Sequence, residues 1–180
     1  MAPPSSGEHI ERRRFPRDRR PAGDPLRPAA SWGSFAAAQP ELAARIRQRF
    51  GAHTHLTMAT VRADGTPRIS GNEVRFRAGV LYLAGMVGAR RFEDLRHRPG
   101  VAVHSGSDDA DTWTGDAKIT GLAREVTDLA ERSAFAGSLS QEPPAWTFEL
   151  FAVDILDATT VELTPEQDAL LITTWSPLHG

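Results

Sequence analysis

The chain has 180 residues, with 21 basic and 23 acidic side chains, a formal net charge of −2 and 40% hydrophobic residues, the composition of an ordinary globular domain. It holds no cysteine, which excludes disulfide frameworks, thiolate nucleophiles and Cys-ligated metals. No apolar run approaches the roughly 18 residues that a membrane-crossing helix needs.

Residues 1–30 carry seven Arg and four acids among Pro, Gly and Ser, with almost no apolar period, and are expected to be a disordered tail. Glu11-Arg12-Arg13-Arg14-Phe15-Pro16-Arg17 has a passing likeness to a twin-arginine export signal. Asp18-Arg19-Arg20-Pro21 follows where an apolar stretch is required, so the expected location is the cytoplasm. Residues 31–180 are read as one domain, mildly acidic because the basic excess sits in the tail. Twenty of the 21 basic residues are Arg, Lys118 being the exception, a bias that points to a GC-rich genome more than to twenty anion contacts.

Order is expected to begin near Ser34, a helix cap, with Phe35, Leu42, Ile46 and Phe50 on roughly one face. Pro40 divides this segment and starts a second helix that ends at Gly51. The period then changes. Residues 55–61 form a short β run, Asp64-Gly65 a tight turn, and Thr66–Phe76 the returning strand. After Gly79 comes the strand Val80–Ala84, then a short helix over residues 90–98 that stops before Pro99. Strands follow at Val101–Ser105 and Asp116–Val126, on either side of an Asp-rich loop. Residues 128–138 suggest a helix halted by Pro143-Pro144. Trp146–Asp157 and Thr159–Leu163 read as a second hairpin, and Leu170–Trp175 as a last strand. Such a run of short strands with regular turns and a few short helices is mainly β (α+β), a closed or nearly closed barrel.

Within this frame, Gly88-Ala89-Arg90-Arg91 places two cations at a helix start, where unpaired backbone N–H groups and the positive end of the helix dipole favour a phosphate. Metal chemistry is not expected. His53 and His55 with His104 lack a recognisable ligand spacing, and Asp108, Asp109 and Asp111 lack the Gly and Glu of an EF-hand loop. No GxGxxG, Walker or GxSxG motif occurs, so any chemistry would have to come from a cofactor.

The order of these pieces resembles the pyridoxamine 5′-phosphate oxidase-like superfamily, which includes FMN enzymes and deazaflavin enzymes that use coenzyme F-420. Thr60-Val61-Arg62-Ala63-Asp64-Gly65-Thr66-Pro67-Arg68 is similar to its "TxxxDGxP" hairpin. Ala89-Arg90-Arg91 with Asp94-Leu95 stands where it carries "Ser-Arg-Lys" and "Asn-Leu". Thr174-Trp175-Ser176-Pro177 is similar to its "TWRP" ending, and the likeness spans about residues 34–178.

The resemblance implies a split β-barrel of the FMN-binding-protein type, a homodimer with two cofactor sites along the subunit interface. Arg90 and Arg91 would hold the cofactor phosphate. Arg68, Ile69 and Ser70 would run beside the ring and ribityl chain, and Ala84, Gly85 and Met86 would line the pocket. The second subunit would add Trp113 and Lys118, with Trp175 capping the ring. Such a protein transfers a hydride to or from a small conjugated substrate. Arg90 and Arg91 do not distinguish FMN from F-420, and both stay open. A basic groove of Arg75, Arg77, Arg96 and Arg98 would suit the polyglutamate tail of F-420.

Departures from the pattern are Ala89 for Ser, Arg91 for Lys, the acids Glu93 and Asp94 on the short helix, Gly71-Asn72-Glu73 on the strand, and Ser176 for Arg. Oxidation of pyridoxamine phosphate itself is disfavoured, for want of a basic motif near the C-terminus. Two rival readings are kept. One is non-catalytic binding of flavin, deazaflavin or, less favoured, haem, for which His104 is the fair ligand. The other, also less favoured, is a nucleic-acid-associated regulator that uses the Arg-rich tail.

Overall fold

The computed structural model describes residues 28–106, 108–109, 111–139, 147–166 and 168–178. Residues 1–27 of the tail expected over residues 1–30, Pro143-Pro144 and Trp146 lie outside them, whereas Ala30 of that expected tail pairs with Ile155. The chain opens with two helices, α1 (Trp32–Ala38) and α2 (Pro40–Gly51). Ser31, not Ser34, caps α1, its Oγ accepting from the Ser34 N–H at 3.1 Å. The helix starts earlier than its polar pattern suggests because Trp32 is buried against Phe35 and Phe76. Pro40 is the first residue of α2, where its missing N–H costs nothing.

A meander follows: β1 (Leu56–Val61), β2 (Pro67–Arg77) and β3 (Val80–Met86), then α3 (Arg90–His97), β4 (Gly100–His104), β5 (Gly115–Glu125), α4 (Leu129–Ala136), β6 (Phe148–Leu163) and β7 (Leu170–Trp175). All pairings are antiparallel, in the order β3-β2-β1-β4-β5-β6-β7, and β3 also pairs with β6. That last pairing closes six strands into a barrel and leaves β7 as an extension on β6. The fold is therefore mainly β, with short helices at its ends. No described helix is long and apolar enough to cross a membrane.

The expected hairpin at residues 146–163 is instead a single strand, β6, of 16 residues. Ala158 and Thr159 offer no turn chemistry, and the Asp157 carboxylate accepts from the Thr120 hydroxyl of β5 at 2.8 Å. The strand serves three neighbours. Along one edge its residues 151–162 pair with β5, with a register shift between Thr120 and Gly121. Along the other edge, residues 148–153 meet β3 and residues 158–163 meet β7. Ala30 fills the gap between them through two backbone hydrogen bonds with Ile155. Gly121 permits the bend, since a Cβ there would lie 2.5 Å from the Asp154 carbonyl oxygen.

The two ends of the barrel are plugged by different helices. Arg49 of α2 donates to Thr114, just before β5, and lies 3.8 Å from Glu162 near the end of β6. Arg96 of α3 reaches Glu125 at the end of β5 and Glu149 at the start of β6. Between the plugs, inward residues such as Met58, Leu83, Val103, Ile119 and Phe151 form the core. Phe92 of α3 completes it, stacked on Phe151 with centroids 5.1 Å apart.

The β2–β3 turn holds Ala78 at φ 47° and Gly79 at φ 75°, the two-residue geometry in which both central positions are left-handed. Gly79 also abuts Gly33, whose N–H donates to its carbonyl at 2.8 Å. Ala78 is exposed, so its strain has no packing to offset it. Ala78→Asn, a residue that tolerates this region, is expected to raise stability by about 1 kcal/mol. The check is a higher urea midpoint at unchanged slope.

Candidate cofactor site

The site grows from the way α3 sits on β2 and β3. Gly85 of β3 makes the approach possible: a Cβ there would lie 2.5 Å from an Arg91 terminal nitrogen and 2.8 Å from the Phe92 ring. Arg91 lies over the Phe92 ring, its Cζ 4.8 Å from the centroid. Its Nε donates to Oδ1 of the buried Asn72 at 2.9 Å. Its two terminal nitrogens make no hydrogen bond among the described residues. Burial holds the guanidinium below its ordinary pKa, with the Glu149 charge opposing that shift. A half-buried cation with free donors is a receptor for an anion.

Arg90, next to it, is exposed and has no partner among the described residues. Ala89, the N-cap, has no side chain to satisfy the first N–H groups of α3.

One turn further along α3, Asp94 is buried and accepts from Arg68 Nε at 2.6 Å and from the Thr60 hydroxyl at 2.8 Å. The Arg68 and Thr60 hydrogen bonds hold its carboxyl below the ordinary carboxylate value, against desolvation. Helix and strand are thus joined by two polar rungs, Arg91–Asn72 and Asp94–Arg68, and only the second is a closed ion pair.

The remaining expected residues fall in three places. Ser70 and Ala84 are half-buried near the rungs, while Ile69 and Met86 are 75% and 80% exposed. Lys118 is exposed on the outer face of β5, in register with His104 and Thr159, and Trp113 stands in the loop before it, partly buried. Arg96 of α3 meets β5 at Glu125, seven residues beyond Lys118. Trp175 belongs to the core, its ring 4.8 Å from that of Phe35.

Of the basic groove expected from Arg75, Arg77, Arg96 and Arg98, two members are paired with acids. Arg77 lies at the far end of β2 from Arg68, about 30 Å along the strand. Arg96 is taken up by Glu125 at 2.6 Å and Glu149 at 2.8 Å, and Arg75 by Glu73 at 2.7 Å.

A feature absent from the sequence reading is a cleft of about 350 Å³ on the outer face of β1, β4, β5 and β6. Ala59, Val61, Pro67, Ala102, Leu122 and Leu156 line it, with the Thr120–Asp157 hydrogen bond at its edge. Thr60 joins it to α3, since the same residue lines the cleft and donates to Asp94. The signal for it was apolar side chains at both parities of β1, with Met58 facing inward and Ala59 and Val61 outward.

Among the described residues, no three His, Asp or Glu side chains gather as metal ligands. His53 faces Asp108 at 3.2 Å. The His104 Nδ1 lies 2.6 Å from the Ser105 carbonyl oxygen and its Nε2 3.5 Å from Asp116.

A family model described as pyridoxamine 5′-phosphate oxidase matches residues 42–171. No curated protein matches the chain in sequence. Among solved structures, ChuZ of Campylobacter jejuni is similar with a TM-score of 0.60 at 10% identity, over 78% of this chain and 61% of that one. A pyridoxamine 5′-phosphate oxidase-related, FMN binding protein of Nostoc punctiforme gives 0.54 at 14% identity, over 79% and 97%. A heme binding protein from Mycobacterium smegmatis gives 0.52 at 15% identity, over 76% and 59%. At these identities the likeness is one of fold.

Proposed function

Because the chain belongs to the pyridoxamine 5′-phosphate oxidase family, we propose that it is a homodimeric oxidoreductase of the cytoplasm that binds a flavin or deazaflavin, FMN or F-420. The observation that carries this reading is the Arg91 guanidinium, half-buried at the start of α3 with its terminal nitrogens unused. It suits the phosphate that both cofactors share. The FMN binding protein of Nostoc punctiforme has the same fold and supports the reading.

Arg91 would take the phosphate with help from Arg90 and the uncapped N–H groups of α3. Gly85 leaves the room in which the guanidinium lies, and Phe92 and Asn72 hold it there. Exposed Ile69, in register with Ala59 beside the cleft, would shield a flat ring from water. Ser70, Ala84 and Met86 would border the chain between ring and phosphate. Lys118 and Trp113 would come from a second copy. When bound, the cofactor supplies hydride transfer to or from a small conjugated substrate. The protein's part is to position, to exclude water and to set the local charge. No side chain is assigned as acid or base.

The test is to titrate the purified full-length protein with FMN and with F-420, following absorbance and fluorescence, and to measure its mass in solution. Micromolar binding of either one to a dimer is the expected result, and silence with both overturns the reading.

A further inference from the structure

The second polar rung bears on which phosphate the site accepts. Arg68 is on β2, on the same face as Asn72, and Asp94 is one turn from Arg91 on α3, with Cβ atoms about 5–6 Å apart at that spacing. Arg68 would therefore be a second cation within reach of an anion at Arg91, were it not committed. It is committed. Its Nε donates to Oδ2 of the buried Asp94 carboxylate at 2.6 Å, its Nη2 lies 3.5 Å from Oδ1, and the Thr60 hydroxyl donates to the same Oδ2 at 2.8 Å. Glu149, 8% exposed, offsets part of the Arg91 charge as well. Arg90 is exposed and screened by water, so it counts for less.

We propose that Asp94 is a specificity-determining residue of the site proposed above: it holds Arg68 as an internal ion pair, leaves a single half-buried cation for the ligand, and so favours a singly charged phosphodiester over a doubly charged phosphomonoester. A phosphomonoester carries about −1.5 to −2 charge at neutral pH, and its second ionisation falls near pH 6. Set against one half-buried guanidinium, with Arg90 screened by water, the second charge is only partly compensated. A phosphodiester carries one charge and is matched. FMN is a phosphomonoester and F-420 a phosphodiester, so the inference rests on the reading above and narrows its choice of cofactor.

Riboflavin, FMN and F-420 separate the contributions, because riboflavin is FMN without the phosphate. The riboflavin-to-FMN ratio of dissociation constants therefore reads the phosphate alone. Asp94→Asn frees Arg68 and is expected to raise that ratio about tenfold or more, with riboflavin affinity unchanged and F-420 affinity gaining less than FMN. The double variant Arg68→Gln with Asp94→Asn keeps a neutral, hydrogen-bonding pair across the rung and guards against misfolding of the single variant. It is expected to retain the wild-type ratio.

An unmoved ratio in Asp94→Asn, or a common fall in all three affinities, overturns the role of Asp94 and leaves the cofactor reading standing. So does a tenfold loss of FMN affinity in the double variant, which would put Arg68 on the phosphate already. Failure of the wild type and of Asp94→Asn to bind any of the three ligands overturns both.

Discussion

Replacing Arg90 and Arg91 together by alanine is expected to weaken FMN or F-420 binding at least about tenfold, since a charge-assisted contact to phosphate is among the stronger hydrogen bonds. Arg91 is where most of that loss should arise. Its guanidinium is half-buried, positioned by Asn72 at 2.9 Å and by the Phe92 ring, whereas Arg90 is exposed. An anion at Arg91 meets fewer competing waters, and the interaction is correspondingly stronger.

The fold should survive the change. Arg91 contributes one hydrogen bond to the protein, and its removal leaves Asn72 Oδ1 short of a donor, a loss of about 1–3 kcal/mol. Arg91→Lys keeps the charge and loses the fixed fork, and is expected to retain part of the affinity. Titration of the variants with both cofactors, beside thermal melts, provides the check. Unchanged affinity in the double alanine variant would remove α3 from the site.

A larger effect on stability is expected from Phe92→Ala. Phe92 is fully buried, stacks on Phe151 at 5.1 Å with planes 11° apart, and presses on Gly85. Truncating such a ring costs about 3–5 kcal/mol through lost burial and the cavity left behind. Against a typical total of about 5–15 kcal/mol this is a large share. With about 2–4 °C per kcal/mol for a domain of this size, the melting midpoint should fall by roughly 10 °C.

The same variant bears on the site. Without the ring beneath it, the Arg91 guanidinium loses the surface that orients it, so cofactor affinity should fall even at temperatures where the variant is folded. Phe92→Leu fills most of the cavity and is expected to recover about half of the stability. If Phe92→Ala melts within 2 °C of the wild type, about 1 kcal/mol or less, the packing described for α3 is wrong.

The rows of the barrel were legible because each strand is announced by its own residues. Asp64-Gly65 makes the β1–β2 turn, where the Asp64 carboxylate accepts from the Thr66 N–H at 2.9 Å. Pro40 opens α2, and Arg90-Arg91 stand at the start of a helix, as read. The family likeness rested on these same signals and agrees with the matched range 42–171.

Where the reading failed, the missing information lay in another part of the chain. Asp157-Ala158-Thr159 resembles a strand break until Thr120 and Ala30 are seen holding β6 together from both edges. Trp175 resembles a lid until closure brings Phe35 against it. The four arginines of the expected groove carry the right charge, but Arg75 and Arg77 stand on β2 and Arg96 and Arg98 on α3 and its C-cap, and acids take up Arg75 and Arg96.

The sequence by itself determined the period of each segment, the turns, the mainly β class and the pair of cations at the head of α3, because backbone preference and turn chemistry act over a few neighbouring residues. Tertiary structure alone decided which charges remain free. Arg68 and Arg91 are the same residue type with like prospects in the sequence, yet one is held at 2.6 Å by a carboxylate 26 positions away and the other is left with donors to spare. That difference follows from the closure of β3 on β6, which sets α3 across β2 and brings together residues that no local preference relates.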